Sequence, residues 1–132
     1  MRYHTRKVVK HEDLNPAGAL FGGRLLEWID EEAAIYAVIQ LQSRRIVTKY
    51  MSEINFVSSA VLGDIIEIGM DVVKFGITSL VLKCEVRNKL TRKTIIKVEN
   101  ITMVNLNEKG KPSPHGKTKI EFVKDRLKDE LS

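Results

Sequence analysis

A single cysteine, only three prolines and the lack of any long apolar run set the first limits on this sequence of 132 residues. One thiol cannot form an internal disulfide, so the fold must rest on its core, and a reducing compartment suits it. A membrane helix needs roughly 20 consecutive apolar residues, and no stretch approaches that. Residues 1–13 have no continuous apolar core, so no secretory leader is expected. The three histidines, His4, His11 and His115, are far apart and lack metal-ligand spacing, so no metal site is expected. No G-x-S-x-G elbow is present, which argues against an α/β-hydrolase esterase. Four phenylalanines, three tyrosines and one tryptophan offer little for base stacking. The net charge of +5 comes without a basic block, so a phosphate-bearing small molecule explains it better than nucleic acid.

What is present is an ordinary globular composition, 43% hydrophobic and 30% charged, of a length that suits one domain. Residues 2–10 are rich in β-branched side chains and predict a strand. Residues 11–19 hold Asn15, Pro16 and Gly18 and predict a loop. Residues 23–41 predict a helix, with Leu25, Leu26, Ile29, Ala33, Tyr36 and Ala37 on one arc. Strands are expected over 46–57, 64–73, 79–87 and 94–106, with short turns between them and Gly69 at a bulge or bend. Residues 107–116 predict an irregular loop and 117–131 a terminal helix. Short connections imply antiparallel neighbours, so the expected architecture is α+β: one long helix against a curved antiparallel sheet of about five strands.

The chemistry-bearing stretch is residues 11–32. Gly22 and Gly23 stand where the helix begins, where free N–H groups and the positive dipole end point outward. A bare glycine pair most often means only a tight helix entry. Asp30 and Glu32 lie at opposite edges of the apolar arc, and periodicity does not choose between them. Taken alone, either acid is most simply part of a solvated helix face. Asn15 before Pro16 reads as a turn starter, and Asp13 as a turn or capping residue. Cys84 falls in a strand and reads as a small buried apolar residue.

The pattern Asp13, Asn15, Gly18, Phe21, Gly22, Gly23, followed by LLEWIDEEA, VTKYMSEINF and GDIIEIGMDVVKFGITSL, resembles the hotdog-fold acyl-CoA thioesterases. The nearest types are the YciA-like enzymes and the cytosolic acyl-CoA hydrolases, and the resemblance spans residues 8–112. It implies a single hotdog domain over 1–132 that hydrolyses acyl-CoA to free acid and coenzyme A. Asp30 would be base or nucleophile, with Asn15 orienting water or thioester and Gly22 and Gly23 as backbone donors. The resemblance also assigns the coenzyme to the turn with Lys74, Gly76, Thr78 and Ser79 and to Lys109 and Lys111. Thr48, Asn55 and Phe56 would line the pocket or support it. Coenzyme A is then part of substrate and product rather than a cofactor, and the enzyme is expected in the cytoplasm. One copy supplies half of each site, so a homo-oligomer is implied, a hotdog dimer assembled as a trimer of dimers. Two rivals on the same fold are a non-catalytic acyl-CoA-binding regulator and a dehydratase or hydratase, which would need a histidine in the catalytic region.

Overall fold

The computed structural model describes residues 1–120. Strand β1 (Arg2–Val8) leads through a short 3-10 turn (His11–Asp13) to helix α1 (Gly22–Leu41). Then follow β2 (Ile46–Met51), β3 (Ile54–Phe56), β4 (Ile65–Phe75), β5 (Ser79–Asn88) and β6 (Thr94–Asn105). The sheet order is β1-β4-β5-β6-β2, with β3 also on β6, and every pairing is antiparallel. The hotdog architecture therefore holds.

The helix turns Leu25, Ile29, Ala33, Tyr36, Ala37 and Leu41 inward, as the period predicts. They meet Ile66, Ile68 and Met70 of β4, Leu80, Leu82, Cys84 and Val86 of β5, and Ile101 and Met103 of β6. The long strands alternate, and the face away from the helix is polar. On that face Glu67 is buried and takes Arg87 Nε at 2.6 Å, while the Arg87 guanidinium lies 3.8 Å over the Tyr3 ring.

Three details differ from expectation. The sheet has six strands, because the run over 46–57 is broken at Ser52 and Glu53. The cause lies across the ladder. From Leu82↔Ile101 to Cys84↔Val98, β6 carries one residue more than β5. Facing this bulge, Ser52 donates its backbone N–H to Asn100 O at 2.8 Å and takes the Asn100 N–H on its Oγ at 3.0 Å. A side chain thus replaces one ladder bond, and β2 ends there. Gly69 sits in regular register opposite Glu85 and is not a bulge. The neighbouring irregularities are in β1, between Tyr3 and Thr5, and in β4, between Val72 and Lys74. A Cβ on Gly69 would stand 2.8 Å from Met1 Sδ and 2.9 Å from the Tyr3 ring, so the glycine makes room for β1. Most of the expected terminal helix, 117–131, lies outside the described residues.

No helix among the described residues is long and apolar enough to cross a membrane.

Candidate active site

The loop before α1 is tied down from three directions. Asp13 is buried, accepts the Lys10 N–H at 2.9 Å and pairs with Arg24 Nε at 3.3 Å. Its carbonyl takes the Phe21 N–H at 2.8 Å. Asn15 Oδ1 accepts the N–H groups of Ala17 and Ala19 at 2.9 and 3.1 Å. The asparagine is thus a turn former, as its place before proline predicts. Its Nδ2 donates to no atom among the described residues.

These ties aim the start of α1. Phe21 is the N-cap, with extended backbone and no side-chain cap, and the first helical bond joins Leu25 N–H to Phe21 O. The N–H groups of Gly22 and Gly23 are left without intrahelical acceptors. A Cβ on Gly23 would meet the Phe21 ring at 2.6 Å, and one on Gly22 would meet Phe56 at 3.3 Å. The glycines therefore let two aromatic rings close over the helix start.

The two candidate carboxylates separate cleanly. Glu32 is buried and accepts the Thr5 hydroxyl of β1 at 2.5 Å. Asp30 is exposed and accepts the Thr48 hydroxyl of β2 at 2.7 Å. Thr48 also lies 3.5 Å from Met103 Sδ and directly precedes an irregularity in the β2–β6 register. Glu32 is thus committed to holding β1 against the helix, and Asp30 stands on the side of the free β2 edge.

Distance along the helix keeps the remaining parts apart. Gly22 and Gly23 lie two turns before Asp30, roughly 10–12 Å back along the axis. One carbonyl must sit about 3 Å from both attacking group and oxyanion donors. A single chain therefore brings Asp30 together with Thr48, and leaves Gly22 and Gly23 away from that pair.

At the end of the sheet where Thr48 and Leu80 both pair with Met103, Gly76 N–H bonds to Ser79 O at 2.9 Å, closing the β4–β5 turn. A Cβ on Gly76 would overlap Ser79 Oγ, so a larger residue there would have to turn that hydroxyl aside. Thr78 O accepts the Asn105 N–H at 2.8 Å and Ile77 O accepts the His115 N–H at 3.1 Å. His115 Nδ1 accepts the Lys117 N–H at 2.9 Å and its Nε2 lies 2.8 Å from Ser79 O. With Nδ1 accepting, Nε2 is the ring nitrogen placed to donate to Ser79 O. Asn105 adds a bond from Nδ2 to Ser113 O at 2.9 Å. Residues 113–117 are thus clasped onto the turn. Lys74 is exposed just after the β4 irregularity. Lys109 and Lys111 are exposed on a separate tip beyond the Leu106–Pro112 bridge, with their N–H groups on Asn107 Oδ1. No hydrogen bond or ion pair joins that tip to the Lys74–Ser79 segment among the described residues.

Sequence reasoning gave Thr48 a lining or supporting role, without naming its partner, and gave His115 none. Both act through partners 18 and 36 residues away, and neither partnership leaves a local signal. No cluster of metal-ligating side chains exists among the described residues.

Cys84 is no nucleophile. Burial, with the Glu32 and Glu85 carboxylates nearby, pushes its thiol from 9.0 up to about 12. Unfolding returns it to the ordinary value, so the folded state holds the proton more tightly. Its contribution is fully present below about pH 9 and is lost as pH rises from there towards 12. The fall in urea midpoint between about pH 8 and pH 11 should therefore be smaller in Cys84→Val than in the parent. An identical fall in both proteins would remove the thiol from the account.

The sequence pattern of the thioesterase superfamily matches residues 17–95. No curated protein sequence matches the chain. Among solved structures, a hexameric thioesterase from Yersinia pestis shares 27% identity over 86% of this chain and 93% of its own, with a TM-score of 0.79. An apo-hexameric acyl-CoA thioesterase shares 32% identity over 95% of this chain and 80% of its own, with a TM-score of 0.77. An acyl-CoA hydrolase from Staphylococcus aureus, solved with butyryl coenzyme A, coenzyme A and coenzyme A disulfide, shares 27% identity over 83% of this chain and 66% of its own, with a TM-score of 0.75. That hydrolase has also been solved with an aspartate and, separately, with a threonine replaced by alanine.

Proposed function

Because the chain belongs to the thioesterase superfamily, we propose that it hydrolyses acyl-CoA to free acid and coenzyme A. The observation that carries the reading is the Asp30–Thr48 pair at 2.7 Å, a carboxylate held by a hydroxyl on the side of an open sheet edge. Asp30 acts on the thioester carbonyl, either by deprotonating a water or by attacking directly. Gly22 and Gly23 of the partner subunit donate N–H groups to the oxyanion, and Asn15 of the partner subunit offers its Nδ2 to the water or thioester. Pre-aligned donors of this kind contribute roughly 3–4 kcal/mol each to the transition state.

The assembly follows from the edge. Among the described residues strand β2 pairs only with β6, and Val47 and Tyr50 on it are 43% and 55% exposed. An unpaired edge of this kind favours addition of another strand. Two copies joined through β2 would make a continuous sheet and bring each Asp30 towards the other copy's loop. Three such dimers give the hexamer, in line with the hexameric relatives.

The coenzyme phosphates fall to Lys74, Gly76, Thr78, Ser79, Lys109 and Lys111, through exposed lysines and a tight turn able to offer donors. Exposed contacts are weak and screened, each worth up to about 1 kcal/mol. Changing Lys74, Lys109 and Lys111 to Gln should raise KM for acyl-CoA roughly two- to fivefold each and flatten its salt dependence. Hydrolysis of a short thioester without the nucleotide should change far less. Equal loss on both substrates would move the lysines' effect to folding or chemistry.

Product analysis in labelled water tests the activity. A hydrolase releases thiol and labelled acid in equal amounts. A hydratase leaves the thioester intact, and a regulator binds acyl-CoA without turnover. Either of those outcomes would replace the present reading.

A further inference from the structure

A cleft of about 180 Å³ opens beside the start of α1, lined by Leu20, Leu25, Phe56, Val57, Ala60 and Ile95. We infer that this cleft holds the acyl chain and that its size selects short chains of about six carbons. The inference rests on the thioesterase reading above and names the substrate class within it.

Position is the first argument. The Phe56 wall of the cleft faces Gly22, where a Cβ would come within 3.3 Å of the Phe56 ring. The cleft thus begins beside the N–H groups that the helix leaves unclaimed. A thioester oxygen bound there would send its acyl chain between the helix start and residues 56–60.

Chemistry is the second argument. The floor is fixed and apolar, since Leu25, Ala60 and Ile95 are only 2%, 1% and 3% exposed. Ser58 also lines the cleft, but its hydroxyl is spent on Thr94 O at 2.6 Å. Such a surface favours methylenes, and its polar atoms are confined to the exposed rim at Ser59. Phe56 and Val57, at 56% and 61% exposed, form the side with room to move.

Volume is the third argument. An apolar cavity of about 150 Å³ accommodates benzene, a group of six carbons. The present cleft exceeds that slightly, so longer chains must leave it. Each methylene that enters an apolar site contributes up to about fourfold in binding.

The test is kcat/KM for acetyl-, butyryl-, hexanoyl-, octanoyl- and lauroyl-CoA with the parent protein, Phe56→Ala and Ser59→Phe. Ser59 is exposed and lines the cleft, so an aromatic ring there obstructs it. The parent should climb to hexanoyl-CoA and then level or fall. Phe56→Ala should move the maximum to octanoyl- or lauroyl-CoA. Ser59→Phe should lower the hexanoyl-to-acetyl ratio at least tenfold, and the readout from Phe56→Ala stands even where that variant folds poorly. An unchanged profile in active variants would overturn the inference alone, as would a parent that climbs undiminished to lauroyl-CoA. A parent that releases thiol from none of the five overturns the activity and the inference together.

Discussion

Asp30→Ala should lower turnover of acyl-CoA by roughly 10²–10⁴-fold, the usual cost of removing a general base. The protein should stay folded, because Asp30 is exposed and, among the described residues, its one side-chain bond is to the equally exposed Thr48. Two controls grade the result. Thr48→Val removes a hydrogen bond to a charged group, worth about 1.5–3 kcal/mol, and should lower kcat roughly 10- to 100-fold with little effect on KM. Glu32→Gln keeps an acceptor for Thr5 and should leave kcat close to the parent value. Near-normal kcat in folded Asp30→Ala, with the loss in Glu32→Gln instead, would mean that the chemistry sits on the buried carboxylate.

Mixing two inactive proteins should restore activity. Asn15→Ala and Asp30→Ala each spoil every site in their own homodimers, if each site takes Asp30 from one chain and Asn15 from the other. In a mixed dimer, one of the two sites draws Asn15 from the Asp30→Ala chain and Asp30 from the Asn15→Ala chain, and is intact. Random exchange of equal amounts makes half the dimers mixed, so about a quarter of all sites should work. The gain is then from a background of at most a hundredth to roughly a quarter of parent activity. Mixed oligomers confirmed by mass but wholly inactive would place all the parts of the site within one chain, against the separation of roughly 10–12 Å along α1.

How much of this was legible in the sequence depends on whether the cause was local. The helix was, because Leu25, Ile29, Ala33 and Ala37 recur at its period and the buried stripe follows them. The long strands were, because alternation and short turns are local signals. The choice of Asp30 over Glu32 was not written in periodicity. A helical wheel gives angles, but the deciding partners, Thr48 and Thr5, come from strands on opposite edges of the sheet. The break at Ser52 was equally hidden, since its cause is a bulge around Asn100 on the neighbouring strand. Gly69 misled for a related reason: a glycine in a strand signals either a bulge or a close neighbour, and here the neighbours are Met1 and Tyr3. Asn15, Gly22 and Gly23 are proposed through a family pattern rather than through any local signal. The structure adds that Asn15 Oδ1 builds its own loop by accepting the N–H groups of Ala17 and Ala19.

The most direct measurement is thiol release from hexanoyl-CoA by the purified oligomer, followed alongside Asp30→Ala. The account predicts a parent kcat/KM of at least about 10⁴ M⁻¹s⁻¹, within the ordinary enzyme range, and its near-abolition in the variant. Thiol release no faster than in buffer, from a folded oligomer that binds coenzyme A, would contradict it.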